Sequence, residues 1–287
     1  MSTIKAGYLI SYDYEYVKIS LSRIYDFVDE IFFAVDINRK SWAGEIFAIA
    51  DTFWDWVKEF DRSNKIKIYE DNFYVPGLSP IECDTRERNM LAKQMGVCDW
   101  YIQIDSDEYF LDFTAFIRKL KALHTQVPTT VVCSVATIFK KVQTGYLLVA
   151  ESAETLCFAT NHPVYDLAKH NSGNKYVYWN DLVLHQSWAR EPEEIYLKIH
   201  NWSHRNDFNT QSFYNLWNAV DEYNFFGIKD FHPLGTGTWP KLRLIPANSI
   251  DDLLNSQELR NLNQPEKKIV KRKPLASRLW KEIKTTF

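Results

Sequence analysis

Over its first 110 residues the chain switches repeatedly between two hydrophobic periods, and this alternation constrains the fold more than any other feature. Residues 6–11, 30–36, 65–69 and 100–104 are short apolar or β-branched runs of strand length. Between them lie helical patterns. Tyr14, Val17, Leu21, Ile24 and Val28 fall at helical spacing, 45–60 is amphipathic, and 82–96 ends on Gly96, a natural C-terminal stop. Strands that alternate with helices imply βαβ units and an open, doubly wound, parallel sheet. Such sheets bind ligands outside the carboxyl ends of their strands. Asp13, Asp36, Asp71 and Asp105 all stand at or just after those ends, which predicts a polar cleft there.

The second half changes character. Residues 113–124 read as a helix. From 129 to 185 the pattern is strand-rich, which suggests a smaller mixed sheet forming the other wall of the cleft. Residues 191–226 return to helix, with Trp202, Phe213, Trp217 and Val220 as expected core. Residues 231–265 read as extended and superficial, and the last twenty residues are basic. There are no internal repeats.

The chain has 287 residues, 46% of them hydrophobic and 25% charged, with a net charge of −3, so nothing global points to a nucleic-acid partner. Aromatic residues make up 15%, suited to sugar rings and bases but equally to filling a core. Cys83, Cys98, Cys133 and Cys157 show no paired spacing and read as reduced thiols. The opening MSTIKAGYLI lacks the apolar core of a signal peptide, and no run reaches the length of a membrane span. The expectation is a cytoplasmic protein, peripheral at most to the inner face of a membrane.

The stretch WYIQIDSDEYF at 100–110 carries the chemistry. A buried strand runs straight into Asp105, Ser106, Asp107 and Glu108, and carboxylates in such a place are costly to desolvate unless something neutralises them. Two Asp one residue apart can hold a hard divalent cation, which can hold a diphosphate. The same pattern fits a solvated strand-to-turn junction.

Three segments together resemble a family 2-like glycosyltransferase with the GT-A fold, over about residues 5–205. GYLISYDYEYVKISLSRIYDFVDEIFFAVD is similar to that family's first strand, helix and second strand. RERNMLAKQMGVCDWYIQIDSDEYF is similar to its Arg-Asn helix and DxD strand, and LHQSWAREPEEIYLKIHNWSH to its later His-bearing strand and helix. The chain departs from the pattern after the second strand, where Ile37-Asn38-Arg39-Lys40-Ser41 replaces Gly-Ser-Thr-Asp. The acidic pair that marks the base of inverting members is not evident.

The resemblance implies one α/β GT-A domain, with a doubly wound, mostly parallel central sheet, a smaller mixed sheet and a helical C-terminal region. Residues 1–110 would bind the nucleotide sugar and 111–230 the acceptor, with 231–287 an extension. It implies a hexosyltransferase-type enzyme of polysaccharide or glycan synthesis, using Mn2+ or Mg2+ to move a sugar from a nucleotide-sugar donor to a saccharide or lipid-linked saccharide. Asp105 would lie by the ribose, with Asp107 and His185 on the metal. Asp36, Arg88 and Tyr12 would serve the donor.

Asp181 and Asp166 are the candidate bases, each also readable as an ordinary turn or surface residue. Trp179, Trp188 and Trp202 are core residues or a stacking surface for an acceptor sugar. The tail from 266 places Lys267, Lys268, Lys271, Arg272 and Lys273 before an amphipathic stretch with Trp280, a pattern suited to anionic membrane. The alternative function is a non-catalytic carbohydrate- or nucleotide-binding protein on the same fold.

Overall fold

The computed structural model describes residues 2–262 and divides the chain into two compact units. Within the described residues, the first comprises 2–133, 157–181 and 201–204; the second comprises 134–156, 182–200 and 205–262. The expected basic membrane-binding tail at 266–287 lies outside the described residues.

The first unit opens with β1 (Ile4–Ile10), α1 (Val17–Ile24), β2 (Glu30–Asp36), α2 (Asp51–Phe60), β3 (Ile66–Asp71), α3 (Pro80–Met95) and β4 (Trp100–Gln103). β1 pairs in parallel with β2 on one side and β4 on the other, and β2 pairs in parallel with β3. The chain thus steps outward from β1 to β3, then returns to lay β4 on the other side of β1. The reversal puts the switch point between the carboxyl ends of β1 and β4, where α/β sheets bind ligands.

That topology also sends helices to both faces. Leu9, Phe32 and Ala34 pack with Leu91 and Met95 of α3. On the opposite face, the Tyr8 hydroxyl meets Ser20 Oγ of α1 at 2.9 Å and the Tyr8 ring stands edge-on to Phe33 at 5.8 Å. α3 packs closely over Gly7, where a Cβ would sit 2.8 Å from Leu91 Cδ2 and force that side chain to shift. The doubly wound, mostly parallel α/β sheet is therefore as expected. The unit also holds β5 (Glu108–Phe110), α4 (Phe113–Ala122), most of β8 (Thr155–Thr160), which pairs antiparallel with β4, and the first part of β9 (Lys175–His185).

Local chemistry sets the helix ends. Ser79 and Glu82 form a capping box around Pro80, and Gly96 closes α3 with φ of 65°. The helix expected over 45–60 begins only at Asp51. Residues 37–50 form a loop whose amides are spent locally, Ser41 N on Glu45 O and Phe47 N on Arg39 O, both at 2.8 Å.

The second unit has an antiparallel order of β10 (Lys241–Ile245), β7 (Gly145–Ala150) and the latter part of β6 (Thr129–Val142). The helix expected over 191–226 is two helices, α5 (Pro192–Asn201) and α6 (Thr210–Ala219). Asn209 starts the second by accepting from Ser212 N. Lys140 ends it, donating to the carbonyls of Trp217, Asn218 and Val220 at 2.7–3.0 Å. The stretch from 231 is not a superficial extension. The alternation of Lys241 to Ile245 makes a strand. Leu253 and Leu254 in α7 (Ile250–Asn255) and Leu259 in α8 (Gln257–Arg260) are fully buried. Among the described residues, no helix is long and apolar enough to cross a membrane.

Candidate active site at the end of β4

The four strand-end aspartates have different employments. The Asp36 carboxylate, 4% exposed, accepts four backbone amides: Asn38 and Lys40 on Oδ1 at 2.9 and 3.1 Å, Phe73 and Tyr74 on Oδ2 at 2.9 and 3.2 Å. It ties two loops together, and both oxygens are spent doing so. Asp71 takes the Tyr69 hydroxyl at 2.7 Å and its neighbour's amide, and Asp13 takes Ser11 Oγ at 3.1 Å.

Asp105 is held by two cations. Arg88 Nη2 donates to its Oδ1 at 2.9 Å, and Lys169 Nζ lies 3.1 Å from its Oδ2. Burial works against the charge on Asp105, but Arg88 and Lys169 outweigh it and hold the carboxyl well below the usual range. Arg88 also binds Asp84 Oδ1 through Nε at 2.6 Å. Lys169 also grips both oxygens of Glu108 at 2.7 and 2.6 Å. A chain of alternating charge, Asp84–Arg88–Asp105–Lys169–Glu108, thus crosses the end of β4.

The turn carrying Asp107 is braced from within. Asp105 N donates to Glu108 Oε2 at 2.8 Å and Glu108 N to Asp105 O at 3.0 Å. Behind it, Ser20 Oγ donates to Glu108 O at 2.7 Å. Asp107 follows Asp105 in this turn and is 3% exposed.

The other predicted residues fall as follows. Arg88 is on α3 as expected, but its fork is spent on protein carboxylates. Tyr12 lies in the turn after β1. Asp166 accepts from Ser172 N and Oγ at 2.8 and 2.6 Å and meets His170 Nδ1 at 3.4 Å. Asp181 pairs with Lys119 of α4. His185 ends β9 in the second unit. Trp179 packs edge-on to Phe116, Trp188 is buried, and Trp202 is edge-on to His204.

Sequence reasoning gave no role to Lys169, Glu108, Asp84 or Glu87. The i,i+4 spacing of Asp84 and Arg88 was a readable signal for that pair. Nothing near Lys169 in the sequence pointed to Asp105. Glu87 lies buried one turn from Asp84, accepting Trp42 Nε1 at 2.6 Å, and burial pushes its carboxyl up to about 8.

Among the described residues no group of three or more His, Cys, Asp or Glu side chains is gathered to hold a divalent cation. Asp105 does not fit as a ligand while Arg88 and Lys169 hold both its oxygens. Asp107 fits a thinner role, since Mg2+-like ions commonly take one or two carboxylates and the rest from substrate phosphates and water.

No family model matches the sequence, and no curated protein matches it. Solved structures do. A mannosyltransferase from Pyrobaculum calidifontis, in complex with GDP-Man and Mn2+, aligns at 9% identity over 69% of this chain and 60% of that one, TM-score 0.43. TarS from S. aureus aligns at 14% identity over 79% of this chain and 45% of that one, TM-score 0.37. A putative glucose-1-phosphate thymidylyltransferase from Bacillus anthracis aligns at 8% identity over 74% and 99%, TM-score 0.38. The matched part therefore spans about half the length of the two glycosyltransferases. These are distant likenesses, with TM-scores of 0.43 or below.

Proposed function

We propose that this chain is a glycosyltransferase that moves a hexose-type sugar from a nucleotide-sugar donor to a saccharide or lipid-linked saccharide. The observation that carries the reading is the braced acidic turn at the switch point between β1 and β4. A transferase needs a fixed carboxylate for the nucleotide ribose and charge neutralisation for the departing diphosphate.

Asp105, kept ionised by Arg88 and Lys169, is an acceptor for a ribose hydroxyl. Its bracing means that it need not reorganise when the donor arrives. Asp107 is the residue that would hold a divalent cation. When bound, such an ion supplies Lewis-acid stabilisation of the leaving diphosphate. Tyr12 is a candidate to cover the base. Asp166, held by Ser172, and Asp181, paired with Lys119, remain the candidate bases for the acceptor proton.

The test is a panel of nucleotide sugars, each with Mn2+, read by thermal shift and then by release of nucleoside diphosphate. The donor should raise the melting temperature by mass action and be consumed. No shift and no release across the panel removes the reading.

One observation favours a second reading, a carbohydrate- or nucleotide-binding protein without turnover: two of the turn's three carboxylates are already neutralised by Lys169. That protein would show the thermal shift without Mn2+ and release no diphosphate with it.

A further inference from the structure

Lys169 is the least expected member of the site and the most firmly built. It lies in the loop between β8 and β9, and α3 pins that loop at two points. Asn89 bonds both backbone groups of Tyr165, accepting from N and donating to O, each at 2.9 Å. Thr85 Oγ1 accepts from Ala168 N at 2.8 Å. The ammonium then bridges Glu108, at 2.6 and 2.7 Å, and Asp105, at 3.1 Å, 5.2 Å from the centre of the Phe158 ring. Glu108 is fully buried, so a departing ammonium would leave a carboxylate unpaired in the interior, which is strongly unfavourable. Lys169 therefore does not swing away cheaply.

We propose that Lys169 is an internal cation that occupies the outer oxygen of Asp105 and keeps divalent metal off that carboxylate. A hard cation would need to approach Oδ2 to about 2.1 Å. It would meet a fixed ammonium there, and on Oδ1 a fixed guanidinium. Like charges at such separations repel. The consequence is a division of labour within the Asp-Ser-Asp turn. Asp105 is reserved for a hydrogen-bond donor such as a ribose hydroxyl, and metal cannot use the two aspartates together. Lys169 is thus a positioning residue that sets metal selectivity through Asp105. The inference rests on the metal-assisted form of the proposed function.

The experiment uses Mn2+ alone, titrated into the full chain without nucleotide, with unbound Mn2+ read by electron paramagnetic resonance. Circular dichroism checks the fold. Lys169→Met should bind Mn2+ at least tenfold more tightly than the unaltered chain. Because that variant strands Glu108, Lys169→Met with Glu108→Gln is made beside it and should show the same gain. Adding Asp105→Asn to either folded variant should abolish the gain. In the unaltered background, Asp105→Asn should leave Mn2+ affinity unchanged.

Unchanged or weaker Mn2+ binding in a folded Lys169 variant overturns the inference, as does a gain that survives Asp105→Asn. So does a loss of Mn2+ affinity on Asp105→Asn alone. A chain that shows the gain but consumes no nucleotide sugar keeps this inference and loses the transferase reading. A chain that transfers sugar and shows no gain does the reverse.

Discussion

Arg88 Nη2 meets Asp105 Oδ1 at 2.9 Å while the same guanidinium holds Asp84 at 2.6 Å through Nε, so one buried cation spans two carboxylates of different kinds. Asp84 is enclosed, and burial raises its carboxyl against the pull of Arg88. Asp105 reaches the surface of the site. Arg88 is thus the joint between the core of the first unit and its acidic turn.

Arg88→Met should destabilise the chain by about 3–5 kcal/mol, the usual result of stripping one partner from a buried pair. Arg88→Met with Asp84→Asn should recover a large part of that loss, because the stranded interior charge is gone. Urea denaturation of the two variants gives the comparison. Equal stability of single and double variants would mean that Asp84 is already neutral in the fold.

Glu87 should make stability depend on pH. Its folded value of about 8 lies above the ordinary 4.5, burial being the main cause and the Trp42 hydrogen bond opposing it. The fold prefers the protonated acid. That preference costs nothing below the ordinary value, and the stability it carries is lost progressively as pH rises from about 4.5 toward 8. At roughly 1.4 kcal/mol per pKa unit, the loss across this window is on the order of 5 kcal/mol. Glu87→Gln keeps an acceptor for Trp42 Nε1 and carries no charge. Its stability advantage should be small at pH 5 and grow steadily to pH 8.5. A parallel pH dependence in both chains would rule Glu87 out as the source.

Asp36→Ala should act on loops. It removes the acceptor for four amides, and hydrogen bonds to a charged group are each worth about 1.5–3 kcal/mol. Amide exchange at Asn38, Lys40, Phe73 and Tyr74 should speed together, with a clear drop in melting temperature. Asp36→Asn should loosen one loop more than the other, since only one of its two terminal atoms still accepts. Loss of nucleotide affinity with exchange unchanged would instead support the donor-binding role expected from the sequence.

The sequence makes the scaffold readable because each element of the first unit obeys a local rule. The runs at 31–35 and 100–104 are apolar but for Gln103, as suits strands covered on both faces. Ser79, Pro80, Glu82 and Gly96 mark both ends of α3. Asp105 and Asp107 stand out because acids interrupt a buried run. What stays illegible depends on distance along the chain. Lys169 is 64 positions from Asp105, and only the folding back of the 161–174 loop onto Thr85 and Asn89 brings them together. Asp36 and Asp181 looked like free carboxylates because sequence shows an acid but not the amides or the Lys119 that take it up. The strand at 241–245 was missed because its partner, β7, lies about ninety residues earlier.

Asp107→Asn tests the turn most directly. The turn's shape rests on the Asp105–Glu108 backbone bonds, on Lys169 and on Ser20, and none of these involves the Asp107 carboxylate. The substitution keeps the size of the side chain and removes its anionic charge. If the turn alone decides stability, the melting temperature without ligand should move by no more than about 2 °C, a shift of about 1 kcal/mol for a chain of this size. Metal-assisted charge stabilisation is worth several kcal/mol, and each 1.36 kcal/mol is about tenfold in rate. Release of nucleoside diphosphate should accordingly fall at least about a hundredfold, and excess Mn2+ should restore it only in part. A variant that unfolds would show that Asp107 is structural. A folded variant with native turnover at every Mn2+ concentration would remove Asp107 as the metal residue and leave the proposed transferase without one in this turn.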